Sequence, residues 1–248
     1  MEHKNETKAV IQNHRSIRKF TDDAVPDEIL KNIMTSAQWA PTSHNVQAYT
    51  IISITDPDLR SSLEEVCGPQ WYVGAAPVFL VFVADFHKHA MISEEYGTPF
   101  EMEETENVLV GAVDAALAAQ NAFITAKSYG LGGVMIGGIR NHPQDVGQLL
   151  NLPLWTFPVM GMCLGYPDDH PGQKPRLPLS GIWHENGYQN ERVQEALTEY
   201  EKTSLTYYQN RSSNPKAQSW SEQMASYLSQ ARRPQLTTYL KNQGFTLK

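Results

Sequence analysis

The run VLVGAVDAALAAQNAFITAKSY, which follows Asn107 and ends at Tyr129, constrains the fold more than any other stretch. It carries only Asp114 and Lys127 as charges and is apolar or small on nearly every side. A helix of that kind is covered on more than one face. Its alanines and Gly111 allow neighbouring elements to approach the backbone closely. One side suits a subunit interface; the alternative is the central helix of a monomeric core. A chain of 248 residues must find cover for every face, which favours the dimer. No apolar run is read as approaching the length of a membrane span; the nearest, residues 75–84, suits a buried strand.

Around that helix the periodicities alternate. Pro26-Asp27-Glu28 opens a helix through Ile29, Leu30, Ile33, Met34 and Ala37, with Pro41 beyond its end. Residues 49–55 alternate as a strand, Asp56-Pro57 starts a short helix to about Val66, and Gly68-Pro69-Gln70 is a turn. Further strands are expected at 76–84, 134–136 and 157–166, with a helix at 143–150. The segment containing His87, His89, Glu94 and Glu95 reads as a solvated loop, and no period gathers those side chains as metal ligands. Amphipathic helices are expected near 191–209, 219–231 and 234–242, with a loop at 211–215. This division gives a core over 1–184 and a helical C-terminal excursion over 185–248 that packs on the core or on a partner subunit.

The formal net charge of −7 argues against nucleic acid or an anionic membrane as partner. Two distant cysteines, Cys67 and Cys163, form neither a disulfide framework nor a metal-ligand spacing. They suit a reducing, cytoplasmic compartment.

Against that acidic background, His14-Arg15-Ser16-Ile17-Arg18 concentrates cationic and hydroxyl donors in five residues. Guanidinium grips phosphate through two parallel bonds, so the run reads as an anion site for the phosphate of a flavin. A basic surface turn is the alternative. Gln173-Lys174-Pro175-Arg176-Leu177-Pro178 is a second cationic stretch, stiffened by proline. The loop 41–47 is rich in short donors and acceptors. Gly137-Gly138 after a short strand lets a flat ligand lie against main chain, and the glycines do not form the dinucleotide fingerprint.

HRSIRKF, GLGGVMIGGIRN, KPRLP and HENGY, in that order, resemble the oxygen-insensitive NADPH nitroreductases and FMN reductases of the nitroreductase superfamily. The resemblance implies an α+β fold: a mixed, mainly antiparallel sheet flanked by helices, with a C-terminal helical extension over a tight homodimer and FMN at the interface. It implies that His14, Arg15, Ser16 and Arg18 bind FMN, with Lys174 and Arg176 as the second set. Ser43 and Gln70 match flavin-contacting positions. Ile136, Gly137 and Gly138 match the main chain beside the ring. Arg211 and Arg233 match positions linked to NADPH. Met135, His44, Asn45 and a longer 93–106 segment depart from the family pattern.

The implied activity is ping-pong, two-electron reduction of nitroaromatics, quinones or free flavin by NADPH. It uses no metal and no protein nucleophile, with Gly137 and Gly138 supporting the flavin chemistry. A flavin-binding storage or sensor protein of the same fold is the alternative.

Overall fold

The computed structural model describes residues 5–210 and 218–248. Helix α1 (Glu6–Gln12) leads to α2 (Asp27–Gln38), β1 (Tyr49–Ser53), α3 (Pro57–Val66) and α4 (Tyr72–Ala75). Then come β2 (Val78–Asp85), α5 (His87–Tyr96), α6 (Thr105–Ser128), β3 (Gly132–Ile136), α7 (Pro143–Leu149) and β4 (Thr156–Gly165). The last helices are α8 (Asn190–Gln209), α9 (Trp220–Leu228) and α10 (Gln235–Asn242). The chain divides into two compact units, Gly172–Arg232 and the remainder, so that Arg233–Lys248 returns to the first unit.

In the first unit four antiparallel strands lie in the order β1-β2-β4-β3. Strand β2 shows why both faces are covered. Leu80, Phe82 and Ala84 point into a core built with α2 and α6. Phe79, Val81 and Val83 point into another built with Leu63 of α3 and Val146 of α7. Alternate side chains of one strand therefore feed two apolar layers. The register between β2 and β4 slips between Phe82 and Val83, where Pro158 cannot donate to the ladder. The Val159 carbonyl at this bulge accepts from the Arg140 guanidinium.

Local chemistry sets the ends of the elements. Asp56 caps α3, accepting from the amides of Asp58 and Leu59 at 2.8 and 2.9 Å. Gly130 takes φ +80° just past α6. The C-terminal segment docks through Tyr239, Leu240 and Phe245, all buried in the α2/α6 layer. The Gln243 side-chain amide donates to the carbonyls of Pro153 and Thr156.

Two expectations need correction. Residues 87–96 form helix α5, not a loop. Asp85 accepts from the His87 amide at 3.0 Å and Gly97 ends the helix at φ +63°, signals that a search for apolar periodicity does not see. Helix α6 is also long and apolar enough, by length and composition, to cross a membrane. In the fold, Ala115, Ala118, Ala119, Ala122 and Ala126 of this helix are buried against the sheet layer.

In the second unit α8 buries Ala196, Tyr200, Ser204 and Tyr208. Trp220 of α9 meets the Tyr200 ring edge-on at 5.4 Å. Ser219 and Glu222 form a reciprocal capping box at the start of α9.

Candidate active site

The basic N-terminal run is fixed by its one apolar member. Ile17 is buried, its amide donates to the Gly133 carbonyl at 2.9 Å, and Ser16 bridges Gly133 in parallel at the edge of β3. A Cβ on Gly132 would lie 2.6 Å from the Ile17 side chain, and one on Gly133 would lie 2.4 Å from the Cys163 carbonyl. Gly132 is therefore needed for the approach of Ile17, and Gly133 for the close packing of β3 on β4 beneath it. The polar neighbours of Ile17 are left facing outward: His14, Arg15 and Ser16 are half-buried and Arg18 is exposed. The His14 ring lies 5.5 Å from that of Phe123.

Positive charge is concentrated here. Arg15 donates to the Asn13 side chain, and Lys127 donates to the Val10 carbonyl. Burial, and then the nearby Arg15 charge, pull the Lys127 ammonium below its ordinary pKa. Among the described residues no ion pair joins a carboxylate to Arg15, Arg18 or Lys127.

Arg18 begins a chain of contacts that runs through the turn after β3. Its guanidinium lies 5.8 Å from the Tyr72 ring centre. The Tyr72 hydroxyl donates to Gln70 Oε1 at 2.6 Å, and Gln70 Nε2 donates to the Cys67 carbonyl at 2.7 Å. Asn141 Nδ2 donates to the same carbonyl at 3.0 Å, and its Oδ1 accepts from Arg233 Nε at 3.0 Å. Gly138 is buried beneath these groups. A Cβ there would lie 2.2 Å from both the Cys67 oxygen and Gln70 Nε2. Gly137 is more open, with Arg140 and Arg233 guanidinium nitrogens 3.5 and 3.8 Å from where its Cβ would be. Ile136, just before it, is fully buried. The first unit thus gathers five of the residues singled out from the sequence: Arg18, Gln70, Gly137, Gly138 and Arg233. Tyr72, which joins them, carried no local signal beyond being polar, and Asn141 stood in the GLGGVMIGGIRN motif without a role of its own.

Ser43 lies on a different support. The 43–48 loop is irregular, with His44, Asn45 and Gln47 at φ 47°, 58° and 56°. The Ser43 and Ala48 amides donate to the Asp114 carboxylate at 3.2 and 3.0 Å. Asp114 is completely buried on α6. Sequence reasoning noted it only as a charge in an apolar helix.

Lys174 and Arg176 belong to the second unit, where both are exposed. The Lys174 ammonium lies 5.6 Å from the Tyr208 ring centre. Arg176 donates to the Lys174 carbonyl at 2.9 Å, and the Tyr200 hydroxyl donates to the Pro175 carbonyl at 3.0 Å. The proline-stiffened turn is thereby held on α8. Arg211 lies outside the described residues.

The donors present suit a planar, phosphorylated cofactor: cations with no carboxylate partner among the described residues, a serine hydroxyl, and a glycine main chain backed by packed polar groups. The comparisons with known proteins give the class. Residues 11–166 match the nitroreductase family and residues 174–248 match its C-terminal domain. The chain belongs to the nitroreductase family and has its fold.

The chain is 40% identical over 245 residues to an FMN reductase (NADPH) of Bacillus subtilis, covering 97% of this chain and 98% of that protein. It is 40% identical over 237 residues to an oxygen-insensitive NADPH nitroreductase of Salmonella typhimurium, covering 95% and 96%. The solved NADPH:FMN oxidoreductase of Vibrio harveyi, complexed with NAD+, superposes with TM-score 0.88 at 37% identity, covering 98% of this chain and all of that one.

Proposed function

We propose that this protein is an FMN-dependent NADPH oxidoreductase that reduces nitroaromatics, quinones or free flavin by two-electron, ping-pong turnover. The observation that carries the reading is the contact chain from Arg18 through Tyr72, Gln70 and Asn141 to Arg233, folded over Gly138. It fixes cations and a glycine main chain together, as a redox cofactor with a charged tail and a flat ring requires.

When bound, FMN supplies the hydride-accepting and electron-donating chemistry. Arg15 and Ser16 would hold the phosphate, with His14 in the same run, and the family resemblance assigns Arg176 to the phosphate as well. Arg18, or Lys174 by family resemblance, would provide positive field at the pyrimidine side of the ring. The Gly137-Gly138 main chain backs the reacting edge beside Ile136, while Ser43 and Gln70 complete the ring contacts. Arg233, tethered by Asn141, is the described cation that orients NADPH, and Arg211 is its partner in that role.

We further infer a homodimer in the cytoplasm. Leu109, Val113 and Leu117 lie four residues apart on α6 and are 56%, 53% and 37% exposed, an apolar stripe on the side of the helix opposite its buried alanines. The two cysteines are free and buried, as in a reducing compartment.

The test is optical. The purified protein should be yellow, bleach on addition of NADPH and regain colour with nitrofurazone. A colourless protein that takes up no FMN overturns the reading. Colour without bleaching transfers the protein to the storage or sensor class. Arg233→Ala should raise KM for NADPH about tenfold, the loss expected for one charged hydrogen bond, with FMN retained. An unchanged KM removes Arg233 from the donor site.

A further inference from the structure

We infer that Asp114 is the positioning residue of the 43–48 loop: its carboxylate holds the main chain that presents Ser43. The assignment of Ser43 to the flavin site rests on the function proposed above; the hold on the loop rests on geometry alone. Asp114 has no exposed surface and no ion-pair partner among the described residues. A carboxylate in that state needs strong donors. It has two main-chain amides, Ser43 on Oδ1 and Ala48 on Oδ2, five residues apart on the same loop.

The Ser43 and Ala48 amides face the acid, the Val46 and Gln47 carbonyls meet bases on α5, and the Val46 amide closes the loop internally on the Ser43 carbonyl at 2.8 Å. His89 Nε2 lies 2.8 Å from the Val46 oxygen, and Lys88 Nζ donates to the Gln47 and Tyr49 oxygens at 3.3 and 2.8 Å. Between the two anchored amides stand His44, Asn45 and Gln47, all in the left-handed region without being glycine. A short polar loop keeps that shape only when its surroundings dictate it. Gly111, one turn before Asp114 on α6, makes the approach possible. A Cβ there would lie 2.9 Å from Ala84 Cβ and 3.0 Å from the Phe86 ring, beside the strand end whose Asp85 amide donates to the Ala48 carbonyl.

The experiment compares wild type with Asp114→Asn by amide hydrogen exchange without FMN and by FMN titration. In wild type the Ser43 and Ala48 amides should be protected. In Asp114→Asn the side-chain NH2 meets an amide donor, so one hold is lost. Protection at these two amides should fall, and the FMN Kd should rise about tenfold, the scale of one buried unsatisfied donor. Adding Asn45→Gly to Asp114→Asn should recover most of the affinity, because glycine adopts the left-handed conformation without support. A merely structural role in the core gives no such rescue.

Fast exchange at either amide in wild type overturns the inference, whether or not Asp114→Asn folds. So does Asp114→Asn with wild-type protection and wild-type Kd. If wild type takes up no FMN yet the exchange pattern is as expected, the flavin reading falls and the positioning role of Asp114 stands.

Discussion

Two turns of the first unit solve the same problem by opposite means. After β3, Gly137-Gly138 lets polar groups pack where no side chain fits: the Cys67 carbonyl and Gln70 amide occupy the place of a Gly138 Cβ. Before β1, the 43–48 loop uses ordinary residues in left-handed conformations and is held by Asp114 from a distant helix. The first turn carries its shape in its own residues. The second borrows its shape from elsewhere. A turn of the first kind breaks when an atom is added to it; a turn of the second kind breaks when a remote partner is changed, and tolerates or welcomes glycine.

The sharpest way to break this contrast is Gly138→Ala. The added methyl meets a main-chain oxygen that cannot swing away, so a loss of about 3 kcal/mol is expected, read as a lower urea midpoint. Wild-type stability in that variant would show that the turn yields. A smaller effect tests how dry the packing under the same turn is. Burial pushes the Cys67 thiol from its ordinary 9.0 up to about 12. The native thiol then keeps its proton where the unfolded chain has lost it. This contribution is full below the unfolded value and drains away as pH climbs from about 9 toward 12. Cys67→Ala should flatten the fall in stability with pH by about 1 kcal/mol per unit in that window, measured by urea unfolding at several pH values. Parallel slopes for the two proteins would mean that water reaches the thiol. The smallest effect has the opposite sign. Asn45→Gly should leave stability unchanged or raise it by less than about 1 kcal/mol, because it relieves a left-handed residue. A clear loss would show that the Asn45 side chain, not the Asp114 anchor, shapes the loop.

The contrast also explains what could be read from the sequence. Strand β2 and helix α6 were legible because their apolar patterns are dense and their burial follows from them. The glycine turn was legible as a place where main chain comes close, since glycine announces itself locally. Ile17 could be seen as the odd apolar residue in a basic run, but its pairing with Gly133 could not, because nothing in either segment encodes its partner. The same holds for Tyr72 and Asn141, whose importance lies in what they connect. Helix α5 escaped because its start and stop signals, Asp85 and Gly97, flank a run without an apolar stripe. Asp114 was visible and undervalued: one acid in a greasy helix reads as tolerated until the amides it binds come into view.

The bridge between Ser16 and Gly133 has a further consequence. Strand β3 is the last strand of its sheet, and such a margin invites stray chains to pair with it. The basic N-terminal segment pairs with that margin at Gly133 and seals it there. A ligand gripping Arg15 and Ser16 would therefore also hold the seal shut. Preparations stripped of ligand should be the ones that cloud on standing, and restoring the ligand should keep them clear.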